Sequence, residues 1–251
     1  MFDWKRGKFE AANALMDESI GIRKKNYGTD LRGLAESLVN LAAVNFNTGN
    51  YAKASGLYEE SLALLTEAVG PTHVDLAVIH EGIGLVAVTQ KNLDKGLHHY
   101  SLAREILKSA GDQELRLSHL LLNTGYLEAE LGDFLKSEAY FLRAQVLLEG
   151  KLGANHLQSA PILAGLGEAN FQLKRYSKAK AYLQLSIALQ TKAKSMPHVL
   201  ATSQLLLAYT LWASNEDRRE ALRLAHEAKE VFEKYQHELL PEVTGWLVAH
   251  E

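Results

Sequence analysis

Residues 47–65 read NTGNYAKASGLYEESLALL, a polar turn followed by a run of small, aromatic and aliphatic side chains. Nearly the same phrase stands at residues 6–22 as RGKFEAANALMDESIGI, and at residues 174–189 as KRYSKAKAYLQLSIAL. Aligned on the residue that opens each phrase, the echoes fall at Phe9, Tyr51, Leu93, Phe134 and Tyr176, in steps of 42, 42, 41 and 42. Three places later comes a small residue (Ala12, Ala54, Gly96, Ser137, Ala179), and seven places later a large one (Met16, Tyr58, Tyr100, Phe141, Leu183). Ten places on the residue is small again (Ser19, Ser61, Ala103, Ala144, Ser186), and a further step of 42 reaches Arg218 and Ala221, keeping only the alanine. These offsets lie on one stripe of a helix, where small sites admit a neighbouring helix and large sites fill the space beside it.

A second apolar helix precedes each phrase: AESLVNLAAVNFNT (35–48), AVIHEGIGLVAVTQ (77–90), SHLLLNTGYLEAEL (118–131), APILAGLGEANFQL (160–173) and ATSQLLLAYTLWAS (201–214). These are called A helices here, and the recurring phrases B helices. Short turns such as Thr48-Gly49-Asn50, Lys91-Asn92 and Gly132-Asp133 join A to B, with glycine suited to the left-handed helix end and Asn or Asp tolerating it. The B-to-A joins recur as GPTH (70–73), GANH (153–156) and SMPH (195–198). One helix pair cannot bury its apolar stripe alone, so pairs must stack. The expected division is one array: 1–34 (a B helix only), repeats at 35–76, 77–117, 118–159, 160–200 and 201–238, and an A helix at 239–251. Neither end shows a polar capping unit, so the expectation is an excerpt from a larger protein.

This pattern resembles the tetratricopeptide repeat, through Leu41-Ala42 in helix A, Gly49 and Tyr51 at the turn, and Ala54, Tyr58 and Ser61 in helix B. The ordinary repeat has 34 residues, about eight fewer than here. The longer period, with Gly70-Pro71-Thr72-His73 before an A helix and Asn40-Leu41-Ala42 within one, resembles the kinesin-light-chain type. The resemblance covers almost the whole chain. It implies an all-α, right-handed solenoid with A helices lining the concave surface and B helices outside.

Bulk composition agrees with an ordered soluble protein: 251 residues, 47% hydrophobic and 23% charged. A formal charge of −3 argues against a general nucleic-acid binder, which needs a basic surface. No apolar run approaches the roughly 20 residues of a membrane span. With no cysteine and no signal-peptide pattern at the start, the expected setting is cytoplasmic, without disulfides or thiolate metal sites.

Catalytic and cofactor motifs fail on context. Gly82-Ile83-Gly84-Leu85-Val86-Ala87 spells GxGxxA, and Gly165-Leu166-Gly167 resembles its start. A dinucleotide loop follows a strand and opens a helix, whereas both pairs fall mid-way along A helices at one repeat station, as packing sites would. Ten histidines include no HExxH; His98 and His99 diverge by about 100° on a helix, and His73, His156 and His198 recur at one loop station, which favours capping over ligation. GxxxxGK[ST] and GxSxG are absent, and paired carboxylates such as Glu59-Glu60 read as solvated faces. No enzyme activity, metal or cofactor is expected.

Carried over by position, the resemblance points inward with Glu36, Val39, Asn40, Ala43, Phe46 and Asn47 on the first A helix; Val78, Glu81, Leu85, Val88 and Thr89 on the second; and His119, Leu122, Asn123, Tyr126, Ala129 and Glu130 on the third. The fourth offers Pro161, Ala164, Glu168, Phe171 and Gln172, and the fifth Thr202, Leu205, Tyr209, Trp212 and Ala213. The five A segments as quoted contain no lysine or arginine and five acids, Glu36, Glu81, Glu128, Glu130 and Glu168, while Lys53, Lys95, Arg104, Lys136, Arg143, Lys178, Lys180 and Arg223 sit on B helices. Such a groove would repel acidic segments and favour apolar or basic ones. It lacks the A-helix bases with which the chaperone-binding type grips a C-terminal carboxylate. Phe46, Tyr126, Phe171, Tyr209 and Trp212 are candidate anchors, or else pack on neighbouring helices. The leading expectation is a non-catalytic scaffold for a protein or peptide segment. The alternatives are a spacer or self-association element acting through uncapped ends near Trp4 or Trp246, and a sensor closing on a small ligand or peptide.

Overall fold

The computed structural model describes residues 30–250, together with Leu15, Glu18 and residues 20–22, which are helical. The stations Phe9, Ala12, Met16 and Ser19 of the first phrase, and Trp4, lie outside the described residues. Eleven helices have described bounds: α1 (Leu31–Asn47), α2 (Tyr51–Val69), α3 (Leu76–Thr89), α4 (Leu93–Ala110), α5 (Glu114–Glu130), α6 (Phe134–Leu152), α7 (Ser159–Gln172), α8 (Tyr176–Lys192), α9 (Pro197–Ala213), α10 (Arg218–Tyr235) and α11 (Leu240–His250). No strand occurs among the described residues. The chain forms two compact units, residues 1–120 and 121–251, and the division falls within α5.

Within the first unit α1 packs on α2, α2 on α3 and α3 on α4; within the second α6 packs on α7, and the pairing continues helix by helix to α11. Successive A helices also touch, α1 with α3 and α7 with α9. Each B helix begins at the opener residue of its phrase (Tyr51, Leu93, Phe134, Tyr176, Arg218). Helix starts are fixed by side chains that accept an otherwise orphaned backbone N–H: Asp30 from Gly33, Asn92 from Lys95, Asp133 from Lys136 and Asp217 from Glu220, at 2.8–3.2 Å.

Every A-to-B turn uses the same backbone closure. The N–H groups of Asn50, Asn92, Asp133, Arg175 and Glu216 donate to the Asn45, Ala87, Glu128, Asn170 and Leu211 carbonyls, five residues back, at 2.8–3.2 Å. That closure needs one residue at positive φ just before the donor. Glycine supplies it at Gly49 and Gly132, both φ 81°, but Lys91 (φ 61°), Lys174 (φ 59°) and Asn215 (φ 58°) supply it elsewhere. Backbone geometry is therefore more regular than the glycine pattern.

The repeat stations have one packing logic. The large +7 side chain wedges against A-helix glycines: a Cβ on Gly84 would lie 2.5 Å from the Tyr100 ring, one on Gly82 2.5 Å from Tyr58, one on Gly125 or Gly165 2.5 Å from Phe141, and one on Gly167 2.5 Å from Leu183. Both glycine pairs of the GxG look-alikes are thus helical close-approach sites. At +10, Ser61 Oγ donates to the Ala35 carbonyl at 2.9 Å and Ser186 Oγ to Ala160 at 2.8 Å, each 26 residues upstream and fully buried. Burying a side chain of the Phe141 or Phe232 size contributes about 1.5–3 kcal/mol, and both are essentially inaccessible.

Candidate functional site

Three A helices, α1, α5 and α9, start a full turn before the apolar run suggests, and two of them gain a base. α1 begins at Leu31 and α5 at Glu114, so both acquire an arginine, Arg32 and Arg116. This corrects the base-free A-helix expectation. Arg32 donates to Glu36 at 3.2 Å and to Asp75 at 2.7 Å. Glu36 is consequently exposed but charge-paired. A shallow cleft of about 320 Å³ opens beside this trio, lined also by Val39, Asn40 and Val78. Asn47 is exposed on the same helix and Phe46 half-buried, its ring 5.5 Å from that of Tyr51 on the following B helix.

Glu81 is half-buried, close enough to Tyr58 and Tyr100 to raise both phenol pKa values together with the larger effect of burial. On the same pair of helices, His80 Nδ1 and His99 Nδ1 lie 3.0 Å apart, an arrangement that needs at least one neutral ring. Burial, then the neighbouring imidazoles, lowers His99 to about 4 and lowers His80 as well. Sequence spacing compared His99 only with His98; its actual partner is 19 residues upstream.

In the second unit, Tyr126 is partly exposed, and its hydroxyl donates to the Pro161 carbonyl at 2.9 Å. Burial and the Glu168 charge push its pKa up. Glu168 is half-buried with its own carboxyl raised, by burial first and Glu130 second. Glu130 and Gln172 are exposed, and Asn123 is half-buried. Glu128 departs from the expected groove: its side chain is buried and stands 3.9 Å from Lys136 at the start of α6. Leu205, expected inward, is buried in the core at 2% exposure.

The remaining aromatics all have partners in the chain. Phe171 meets Tyr176 at 5.9 Å, as Phe46 meets Tyr51. Tyr209 donates to Glu242 at 3.0 Å and its ring lies 5.2 Å from Trp246. Trp212 lies edge-on to Trp246 at 5.5 Å and under Arg218 at 4.7 Å. They retain half-exposed faces, so each is a pre-positioned surface ring rather than a freely swinging side chain.

A larger cleft of about 500 Å³ lies at the N-terminal ends of α7 and α9, lined by Tyr126, Pro161, Ala164, Val199, Thr202 and Gln190 among others. His198 and His237 stand at its edge, their rings 5.8 Å apart. The loop histidines divide unexpectedly. His73 and His156 accept the N–H two residues on (Asp75, Gln158) at 3.3 Å, capping the next A helix. His198 instead lies inside α9, and His237 takes the capping role, accepting from Leu239 at 3.3 Å. Its signal was available: His73, His156 and His237 each precede an A-type helix by three residues. Among the described residues no group of three or more His, Asp or Glu side chains could hold a metal ion.

A family profile, Tetratricopeptide repeat, matches residues 1–67, 33–109 and 116–192. The chain belongs to this family. No curated protein matches the sequence. Solved structures resemble the array in fold at low identity. BtubC (BKLC) from P. vanneervenii superposes with a TM-score of 0.76 at 19% identity, over 91% of this chain and 92% of that one. A Podosopora anserina kinesin-light-chain candidate with nearly identical TPR-like repeats gives 0.63 at 16%, over 81% and 97%. A Rap protein complexed with Competence and Sporulation Factor gives 0.67 at 18%, over 100% and 72%. The array is thus of the tetratricopeptide type, with kinesin-light-chain-like repeats among its structural neighbours. No described helix is long and apolar enough to cross a membrane.

Proposed function

We propose that this array is a non-catalytic scaffold whose A-helix face takes a protein or peptide segment, apolar or basic in character. The observation that carries the reading is the placement of the clefts: in each unit a cleft opens on A-helix residues expected to face a ligand, Glu36, Val39 and Asn40 in one and Tyr126, Pro161 and Ala164 in the other. Structural neighbours support the class. One is the Rap protein solved with Competence and Sporulation Factor, and another is YrrB, a TPR protein with an unusual peptide-binding site, similar at a TM-score of 0.51. The charge preference is supported by Glu168, whose carboxyl is raised by burial first and by the Glu130 charge second, a repulsion that a cationic group would relieve.

Fluorescence anisotropy with a set of labelled capped peptides tests this. Apolar-basic sequences should bind and their Asp/Glu counterparts should not. Glu130→Gln with Glu168→Gln should weaken the basic peptides by about three- to ten-fold, an effect that fades as salt is raised. Equal binding of acidic and basic peptides would refute the groove reading.

A further inference from the structure

The cleft of about 500 Å³ in the second unit is lined by a residue with a polar atom that the fold leaves unmet. Gln190, near the end of α8, lines the cleft at 3% exposure, and its Oε1 has no hydrogen-bond partner. The amide orientation follows from its neighbours. Ser186 Oγ donates its only proton to the Ala160 carbonyl at 2.8 Å, so toward Gln190 it can only accept. The Gln190 atom 3.3 Å away is therefore the donor Nε2, which also donates to Ser203 Oγ at 3.0 Å. Oε1 is the acceptor left over, and a buried unmet acceptor costs about 1–3 kcal/mol.

Three other polar groups around the cleft are already engaged. Tyr126 Oη donates to Pro161, Thr202 Oγ1 donates to the His198 carbonyl at 3.0 Å, and His237 Nδ1 accepts from Leu239. Apart from His198 and His237, no ionisable side chain but the Tyr126 phenol lines the space, and with no carboxylate in the lining an ammonium would find no counter-charge there. Its volume lies within the range of ligand pockets, roughly 300–1,000 Å³.

We propose that this cleft binds an uncharged apolar group carrying an N–H donor, which hydrogen-bonds to Gln190 Oε1 while the apolar body rests against Tyr126, Pro161, Ala164 and Val199. The location rests on the A-helix face being the binding face. Such chemistry has two sources: an apolar residue of a bound peptide presenting its backbone amide, or a free small amide.

Isothermal titration of the full chain with benzamide, methyl benzoate, sodium benzoate and acetyl-Leu-Leu-amide tests the proposal. Benzamide should bind about three- to ten-fold more tightly than methyl benzoate, which has the same ring and no N–H, and benzoate should bind worse than either. In Gln190→Met, which keeps the volume and removes the acceptor, the amide-over-ester preference should disappear. Should that variant fail to fold, the wild-type ratio decides alone. Tighter binding of acetyl-Leu-Leu-amide than of benzamide identifies a peptide source, the reverse a free small amide. A ratio of one, no binding of any amide, or a preference that survives Gln190→Met overturns the proposal. Loss of the amide preference with peptide binding intact sinks this inference alone, whereas benzamide binding without any peptide binding sinks the peptide-groove reading alone.

Discussion

Replacing Gly165 by alanine tests the packing logic most directly. Helix propensity alone favours the change, by about 0.5–1 kcal/mol. Geometry opposes it. The new Cβ would stand 2.5, 2.7 and 2.8 Å from Phe141 Cζ, Cε2 and Cε1. Phe141 has little room to yield: the same ring passes just as close to Gly125, it meets the Tyr126 ring edge-on at 5.0 Å, and it is 1% exposed. Overpacking of this kind costs about 1–3 kcal/mol, so the net loss should be about 0–2.5 kcal/mol. Gly56→Ala is the control, since Gly56 lies mid-way along α2 with nothing within 4 Å of an added Cβ, and should gain about 0.5–1 kcal/mol. Urea denaturation followed by circular dichroism reads both signs. Phe141→Leu should then rescue Gly165→Ala, with a coupling of about 1 kcal/mol in the double-mutant cycle. A raised urea midpoint for Gly165→Ala, matching that of Gly56→Ala, would refute the wedge.

Three further outcomes follow from particular residues. Lys174→Gly should stabilise the second unit by up to about 1 kcal/mol, because Lys174 holds φ 59° at a turn where Gly132 holds φ 81°; thermal melts check it. Acid should weaken the first unit between about pH 6.5 and 4: His99 titrates near 4 when folded against an ordinary 6.5, so in that window the unfolded chain binds more protons and stability falls as pH falls. In His99→Gln that part of the pH dependence should vanish, and a wild-type-minus-variant difference that stays constant from pH 7 to pH 4.5 would count against it. Ser61→Ala should cost about 0.5–1.5 kcal/mol by removing the buried bond to the Ala35 carbonyl, measurable as a lower urea midpoint.

Features set by sterics at equivalent stations were legible in the sequence, because each repeat solves the same packing problem. Openers, wedges and glycines recur, and Tyr51, Tyr58 and Gly82 have a spacing that shows what they do before any coordinate is known. Features set by pairs at unlike stations, on the two helices of one repeat, were not. His80 and His99 share no repeat station, and neither do Glu128 and Lys136; only the fold brings them within reach. Helix starts fell between these cases. Arg32 and Arg116 are polar and look like loop residues, yet Asp30 caps α1 early enough to draw Arg32 onto the helix, where it pairs with Glu36 and Asp75.

Ligand specificity belongs to the less legible class for the same physical reason. A repeat station must satisfy packing in every copy, so it cannot also differ from copy to copy. Binding chemistry is left to positions released from that demand. Gln190 shows how release happens: it follows the Ser186 station by four residues, and Ser186 spends its proton on Ala160, which turns the amide and leaves Oε1 without a partner. At the matching place in the first full repeat, four residues after Ser61, stands Leu65, which closes the core there and offers no acceptor. A Gln190→Leu change should therefore convert the second unit's cleft toward the first repeat's packing. It should keep the helical circular-dichroism signal and abolish the preference for N–H-bearing ligands; a retained preference would mean that some other acceptor carries it.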